Sequence, residues 1–346
     1  MLLNTWSLAL NLGALLTLFL LAVACRSAIR VLRHWNPASD EARQIGLESE
    51  IWLSSTLVAY ALGIQIVSLV LLVLAADDFA VVITGAMCAT GTLLANDYGM
   101  PALLVKMAGV FFYGFWLVIH RLDTSSQRYP LVRVKCWYLL AILPLLALDI
   151  TLQFLYLYTI DPDIIVSCCA VVFDDAGGDS QLFVQLADLE LLPWFYGTML
   201  VLFLLGVATE WPRRVFGRSA GGWLLTAYGL LWLIFTPLSL LAIITTISSY
   251  VYAMPFHNCP FCVLKPEYAH VGFIIYGSLL PAGFFAVSAA LVPIFTPQFA
   301  AGDRCDQAII PNYQRLALRL SMVLLILFAG SSSFHLLRYL LLGGEG

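Results

Sequence analysis

WLLTAYGLLWLIFTPLSLLAIITTISSY, from Trp223 to Tyr250, contains no Asp, Glu, Lys or Arg. The hydrocarbon core of a bilayer is about 30 Å thick and takes roughly 20 apolar residues of helix to cross, so this stretch reads as a membrane span. The same reading applies along the whole chain. Further apolar windows of about this length run approximately over Thr5 to Ala24, Ile51 to Ala76, Pro101 to His120, Cys136 to Ile160, Leu191 to Ala208, Phe273 to Phe295 and Leu320 to Leu342, with Lys106, Asp149 and Arg338 the charges inside them. The sequence therefore predicts an all-α, polytopic membrane helix bundle of about eight transmembrane helices, with residues 1–346 as a single integral-membrane domain. The first window is read as a retained span, because MLLNTWSLALNLG has no basic region ahead of its apolar run.

Composition agrees with that reading. Of 346 residues, 61% are hydrophobic and 11% charged, with a mean hydropathy of +0.91, whereas a soluble domain carries about 25% charged residues. A formal charge of -4 offers no clustered basic surface for phosphate, so nucleic acid is excluded as a partner. The sequence shows no P-loop, no G-x-G-x-x-G and no H-E-x-x-H, which leaves nucleotide binding and zincin chemistry without a motif. Membrane lipid is the one partner that composition itself implies.

Orientation follows from Lys and Arg, which accumulate in short cytoplasmic loops. After span 1 come Arg26, Arg30, Arg33 and Arg43; after span 3, Arg121, Arg128, Arg133 and Lys135; after span 5, Arg213, Arg214 and Arg218; after span 7, Arg304, Arg315 and Arg319. The loops after spans 2 and 4 have none and the loop after span 6 has only Lys265. Both termini are thus expected to be extracytoplasmic, in a plasma membrane or a bacterial-type inner membrane.

That topology sorts the eight cysteines. Cys88, the vicinal pair Cys168 and Cys169, and Cys259 and Cys262 fall in outer loops, while Cys25, Cys136 and Cys305 fall at cytoplasmic ends, where isolated thiols behave as small apolar residues. The segment HNCPFC, His257 to Cys262, is the sharpest motif. A C-x-x-C pair puts two sulfurs within bonding reach, and a neighbouring histidine favours the nucleophilic thiolate. The same two thiolates on one turn also chelate a soft metal. Adjacent cysteines such as Cys168 and Cys169 form a strained ring with each other, so each is expected to seek another partner or a common metal.

Three outer loops carrying thiols suggest one shared site, and the leading expectation is a membrane thiol-disulfide oxidoreductase or electron relay. In it Cys259 attacks, Cys262 resolves, and Cys168, Cys169 or Cys88 passes electrons on to a thioredoxin-like or other extracytoplasmic protein or to quinone. One alternative is a carrier or assembly factor for a soft metal such as copper, with His257, Cys259, Cys262, Cys168, Cys169 and Cys88 as ligands and Met87, Met100 and Met254 as further candidate ligands. Another is a non-enzymatic subunit that docks a partner and whose cysteines are structural disulfides. CPFC in its membrane setting resembles, over a few per cent of the chain, the membrane thiol-oxidoreductases that pass electrons between such a pair and quinone or a thioredoxin-like partner; those have fewer spans and different spacing around the motif. The SCC stretch resembles the vicinal pair of small mercury carriers, which lies within a first span.

Polar groups inside the spans are rare and face bundle interiors. Lys106, Asp149, His335 and Arg338 are the candidates for a proton or quinone path, with Gln65 and Gln153 beside them and a Lys106–Asp149 ion pair expected. Pro144, Pro193, Pro237 and Pro281 lie in or near spans, where proline bends a helix locally. The loop between spans 4 and 5 is acidic, from Asp161 through Asp174, Asp175 and Asp179 to Glu190. It gives the outer side a field that attracts cations.

Overall fold

A computed structural model describes residues 4–35, 42–86, 88–161, 163, 166, 191–215, 222–254, 257 and 259–342. The regular structure among these residues is all helical, and eight helices are long and apolar enough to cross a membrane. They are α1 Thr5–His34, α2 Ala42–Phe79, α3 Gly99–Thr124, α4 Val132–Thr159, α5 Leu191–Val215, α6 Gly222–Tyr252, α7 Val271–Ala300 and α8 Arg304–Leu342.

Several helices run past the apolar windows that identify them. At 1.5 Å per residue, the 30 residues of α1 extend about 45 Å, well beyond a 30 Å core. Arg26, Arg30 and Arg33, expected in a loop, are instead on the last turns of α1. Likewise Arg121 is in α3, Arg133 and Lys135 begin α4, and Arg304, Arg315 and Arg319 lie on the first half of α8. An apolar window marks where a helix meets lipid, not where its hydrogen bonding stops.

The chain forms two compact units. The first takes the described residues within 1–84, 91–166 and 295–309, and the second those within 85–90, 167–294 and 310–346. In the first unit α1 packs on α2, α2 on α3, α3 on α4, and α4 back on α1. Its core includes Leu21, Val58, Leu62, Tyr113, Trp116, Leu139 and Leu146. The turn between α7 and α8 belongs to this unit too, with Phe295 stacked 6.3 Å from Phe115 and the Ala301 carbonyl accepting from Arg128 at 2.9 Å.

In the second unit α6 packs on α5 and α7. Tyr228 Oη of α6 and Ser321 Oγ of α8 are 2.8 Å apart, Ser321 donates to the Ala282 carbonyl of α7 at 2.9 Å, and Tyr196 of α5 donates to Ser333 of α8 at 3.1 Å. Phe195, Trp232, Phe235 and Phe328 fill the centre. Between lipid-facing helices association rests on close packing and a few polar contacts, which favours small residues at crossings. Gly229 is such a residue: a Cβ there would lie 2.5 Å from Ala290 Cβ of α7. Pro144, Pro237 and Pro281 sit inside α4, α6 and α7. Six residues after Pro237, α6 widens into a π turn at Ile243–Ile247 before its last turn, Ser248–Tyr252.

Candidate functional site

The end of α6 leads into the CPFC loop, and backbone geometry closes that loop tightly. Ala253 ends α6 in the left-handed region at φ 54, and Ala269 and His270 enter α7 in the same region at φ 53 and 54. Between them Cys262–Leu264 and Pro266–Tyr268 form two 3-10 turns. The His270 amide donates to the Lys265 carbonyl at 3.2 Å, and His270 Nδ1 is 2.7 Å from the Leu264 carbonyl. Gly272, in the first turn of α7, leaves room for this fold-back, since a Cβ there would come within 2.7 Å of Val263 Cγ2.

Two tyrosines, one from each flanking helix, fix the motif's backbone. Tyr252, the last residue of α6, donates its hydroxyl to the Cys259 carbonyl. Tyr276, from α7, donates to the Pro260 carbonyl at 2.7 Å. The ring of Tyr252 also packs edge-on against His257, with centroids 4.6 Å apart, and against Tyr268, again at 4.6 Å. Sequence reasoning missed these residues because a tyrosine at the end of a span reads first as an interfacial anchor.

Cys88 joins this loop from far away in the chain. The segment Gly85–Thr90, which follows α2 in sequence, belongs to the second unit and sets Cys88 Sγ 3.3 Å from Cys259 Sγ. That is contact distance, longer than the ~2.05 Å of a sulfur–sulfur bond. Thr90 Oγ1 lies 3.2 Å from Cys259 Sγ, a hydroxyl partner that sequence spacing gave no reason to name. The sulfurs of Cys88, Cys259 and Cys262 are all within 4.8 Å of one another. They are also shielded: Cys88 and Cys259 are 0% exposed and Cys262 6%. His257 contributes no atom to that 4.8 Å group, yet it is near enough for Cys88 to act on its charge. Burial holds its pKa below the usual imidazole value, with Cys88 pulling weakly the other way, so the ring is neutral at pH 7 and keeps a lone pair to donate. Tyr268, which packs against the Tyr252 ring, has its hydroxyl pKa raised by burial and by the Cys262 and Glu267 charges.

The remaining candidates divide. Cys168, Cys169 and Met87 lie outside the described residues. Met254 is half-exposed at the loop's edge, and Met100 is in α3 in the first unit. Lys106 and Asp149 form the expected ion pair in the first unit, with Nζ to Oδ1 2.8 Å and both side chains fully buried. His335 and Arg338 are on α8 in the second unit, where His335 packs edge-on against Phe334.

No protein-family model, no curated protein and no solved structure matches this chain.

Proposed function

We propose that this membrane protein binds a soft metal ion, of the kind represented by Cu(I), through the thiolates of Cys88, Cys259 and Cys262. The observation that carries the reading is the convergence of three buried sulfurs within 4.8 Å of one another. A metal held by three thiolates at about 2.3 Å from each needs sulfur–sulfur separations of about 4 Å, which the cluster meets with shifts below an ångström. Soft thiolate donors select soft ions. The Thr90 hydroxyl beside Cys259 Sγ and the Tyr252 and Tyr276 hydrogen bonds to the loop carbonyls act as outer-shell supports, which tune metal sites nearly as strongly as the ligands do. In this reading the cysteine loops face outside, both termini are extracytoplasmic, and the acidic loop between α4 and α5 concentrates cations on that face. Cys168, Cys169 and His257 are further donors for an ion entering or leaving.

A thiol-disulfide relay is the second reading, favoured by the 3.3 Å approach of Cys88 Sγ to Cys259 Sγ. From there the Cys88 thiolate attacks Cys259 of a Cys259–Cys262 disulfide and releases the Cys262 thiolate, with a thioredoxin-like protein or quinone as the external partner. Deep burial weighs against it, since exchange with a partner requires an accessible sulfur.

Anaerobic titration of the reduced, purified protein with Cu(I) against a chromophoric competitor tests the reading. One tightly held Cu(I) per chain is expected, weakened at least tenfold in Cys88→Ser, Cys259→Ser and Cys262→Ser and unchanged in Cys305→Ser. Equal binding by the wild type and Cys88→Ser removes the three-thiolate site. A Cys259–Cys262 couple between roughly -120 and -270 mV, the range of exchange enzymes, would favour the relay.

A further inference from the structure

The first unit contains a second group of polar side chains that the thiol site does not use. Lys106 on α3 pairs with Asp149 on α4 at 2.8 Å. Lys106 Nζ also donates to Ser68 Oγ of α2 at 2.8 Å and meets Gln65 Oε1 at 3.5 Å. Ser68 Oγ is in turn 3.1 Å from Gln65 Oε1. On the other side of the pair, Tyr113 of α3 donates its hydroxyl to Asp149 Oδ2 at 3.1 Å. Three helices thus converge on one charge pair with no surface exposed to solvent.

Fastening helices does not require such a pair. In the second unit the described helices are joined by hydroxyls, as in Tyr228 with Ser321 and Tyr196 with Ser333, and by the Gln314 amide on the Ala289 carbonyl, while the ion pair described there, Arg319 with Glu210, has its arginine 58% exposed. The first unit's other buried ion pair, Lys135 with Asp123, has a local task, because Asp123 Oδ1 also accepts from the Leu131 amide at 2.8 Å and closes the turn between α3 and α4. Lys106 and Asp149 close no turn. An ionic pair in a dry interior adds little stability over apolar packing, because desolvating both charges offsets their attraction. In membrane segments such residues mark proton or ion paths.

Hydrogen-bond counting shows what the group is suited to hold. With the proton on Lys106, three N–H donors face Asp149, Ser68 and Gln65. With the proton moved to Asp149, the new Oδ1–H points at the Lys106 nitrogen, and the two N–H groups left on Lys106 still have Ser68 and Gln65 as acceptors. Tyr113 donates to Oδ2 in either case. Ser68 and Gln65 accept from Lys106 Nζ in either form, while Asp149 Oδ1, 2.8 Å from that nitrogen, makes no hydrogen bond as the side chains stand, so sharing the proton takes a slight turn of one of them. Full burial also restricts the ligand: no ion or organic molecule reaches the pair without displacing a side chain, whereas a proton needs no room.

We propose that Lys106 and Asp149, framed by Gln65, Ser68 and Tyr113, form an intramembrane proton-binding site in which one proton passes between Lys106 Nζ and Asp149 Oδ1. In the transfer an N–H bond breaks, an O–H bond forms, and the pair stays neutral overall, so a low-dielectric interior accepts both forms. The titratable groups facing the pair are Tyr113 from α3 and the two partners themselves; α2 presents neutral Gln65 and Ser68, and the membrane part of α1 has no ionisable side chain. Lys106 and Tyr113 are seven residues apart on one helix, about 10 Å along its axis. The group therefore covers roughly a third of the hydrocarbon thickness and acts as a relay station within the membrane.

Infrared difference spectroscopy on the full-length protein in lipid, with aspartate carboxyl groups isotopically labelled, tests this. The expected result is a carbonyl stretch of a protonated, water-inaccessible carboxylic acid that shifts with the label, is lost in Asp149→Asn and persists in Cys88→Ser. In Lys106→Met the same band is expected to remain but to move, because its O–H loses the nitrogen it bonds to. A wild-type spectrum with only ionised aspartate carboxylates between pH 5 and 9 overturns the proposal, as does a band that Lys106→Met leaves unmoved. The wild-type labelling experiment is decisive even where Asp149→Asn does not fold. Persistence in Cys88→Ser keeps the outcome separate from that of the metal-binding reading.

Discussion

Replacing Asp123 with Ala removes two partners at once, because its carboxylate accepts from Lys135 Nζ and from the Leu131 amide, each at 2.8 Å. Both side chains of the ion pair are almost fully buried, so water does not replace what is lost. Breaking a buried pair from one side costs about 3–5 kcal/mol, and Lys135→Met, which strands the carboxylate, is expected to cost about the same. The double variant Asp123→Ala/Lys135→Met has no stranded charge and retains only the unmatched Leu131 N–H, worth about 1–3 kcal/mol. Its loss is therefore smaller than either single loss, and far below their sum. Glu210 with Arg319 is the comparison: Arg319 is 58% exposed, and Glu210→Gln is expected to cost less than about 1 kcal/mol. Reversible unfolding in mixed micelles measures all four variants. Trp116 is a local reporter, since its indole N–H donates to the Lys135 carbonyl at 3.2 Å. An Asp123→Ala loss below about 1 kcal/mol, or a double variant as unstable as the two singles combined, would refute the assignment of this pair as the clip of the α3–α4 turn.

Gly229→Ala places a methyl group against Ala290, forces α6 and α7 apart, and is expected to cost about 1–3 kcal/mol; Gly277→Ala, with open space around it, is the silent control in the same unfolding assay. His257 gives a pH signature. Its imidazole binds a proton less readily in the folded chain, so stability is full above the ordinary pKa of about 6.5 and declines as pH falls through it. His257→Gln should flatten the thermal midpoint between pH 7 and 5, and an unchanged slope would show that His257 is not its source. For topology, Cys305 is exposed, and an impermeant maleimide is expected to miss it in sealed cells and label it once the membrane is opened. Labelling in sealed cells reverses the assigned orientation.

The eight spans are legible in sequence because each carries an apolar stretch long enough for a bilayer with at most one charge inside it, and nothing in a loop imitates that. The Lys106–Asp149 pair is legible for the complementary reason: two opposite charges in apolar helices have few places to go except to each other. The nearness of Cys88 to the CPFC loop follows only in outline, from the placing of those loops at the same end of the spans. What remained hidden depends on tertiary detail. Thr90 and Tyr276 are ordinary residues until the fold sets one beside a sulfur and the other under a carbonyl. The division into two units left no mark either, because helices that pack within a unit and helices that do not share the same apolar composition.

Cys88 and Cys259 are separated by 171 positions in the chain. At roughly 5–20 residues per second, about 10 to 30 seconds of synthesis pass between the appearance of the first sulfur and that of the second. During that interval Cys88 has neither the CPFC loop to shield it nor Thr90's neighbour to contact, and whatever oxidant, thiol or metal it meets first competes with the native arrangement. Assembly of the site is thus a race in time as well as a geometry in space, with the timing set by the length of chain that must be made between the two halves.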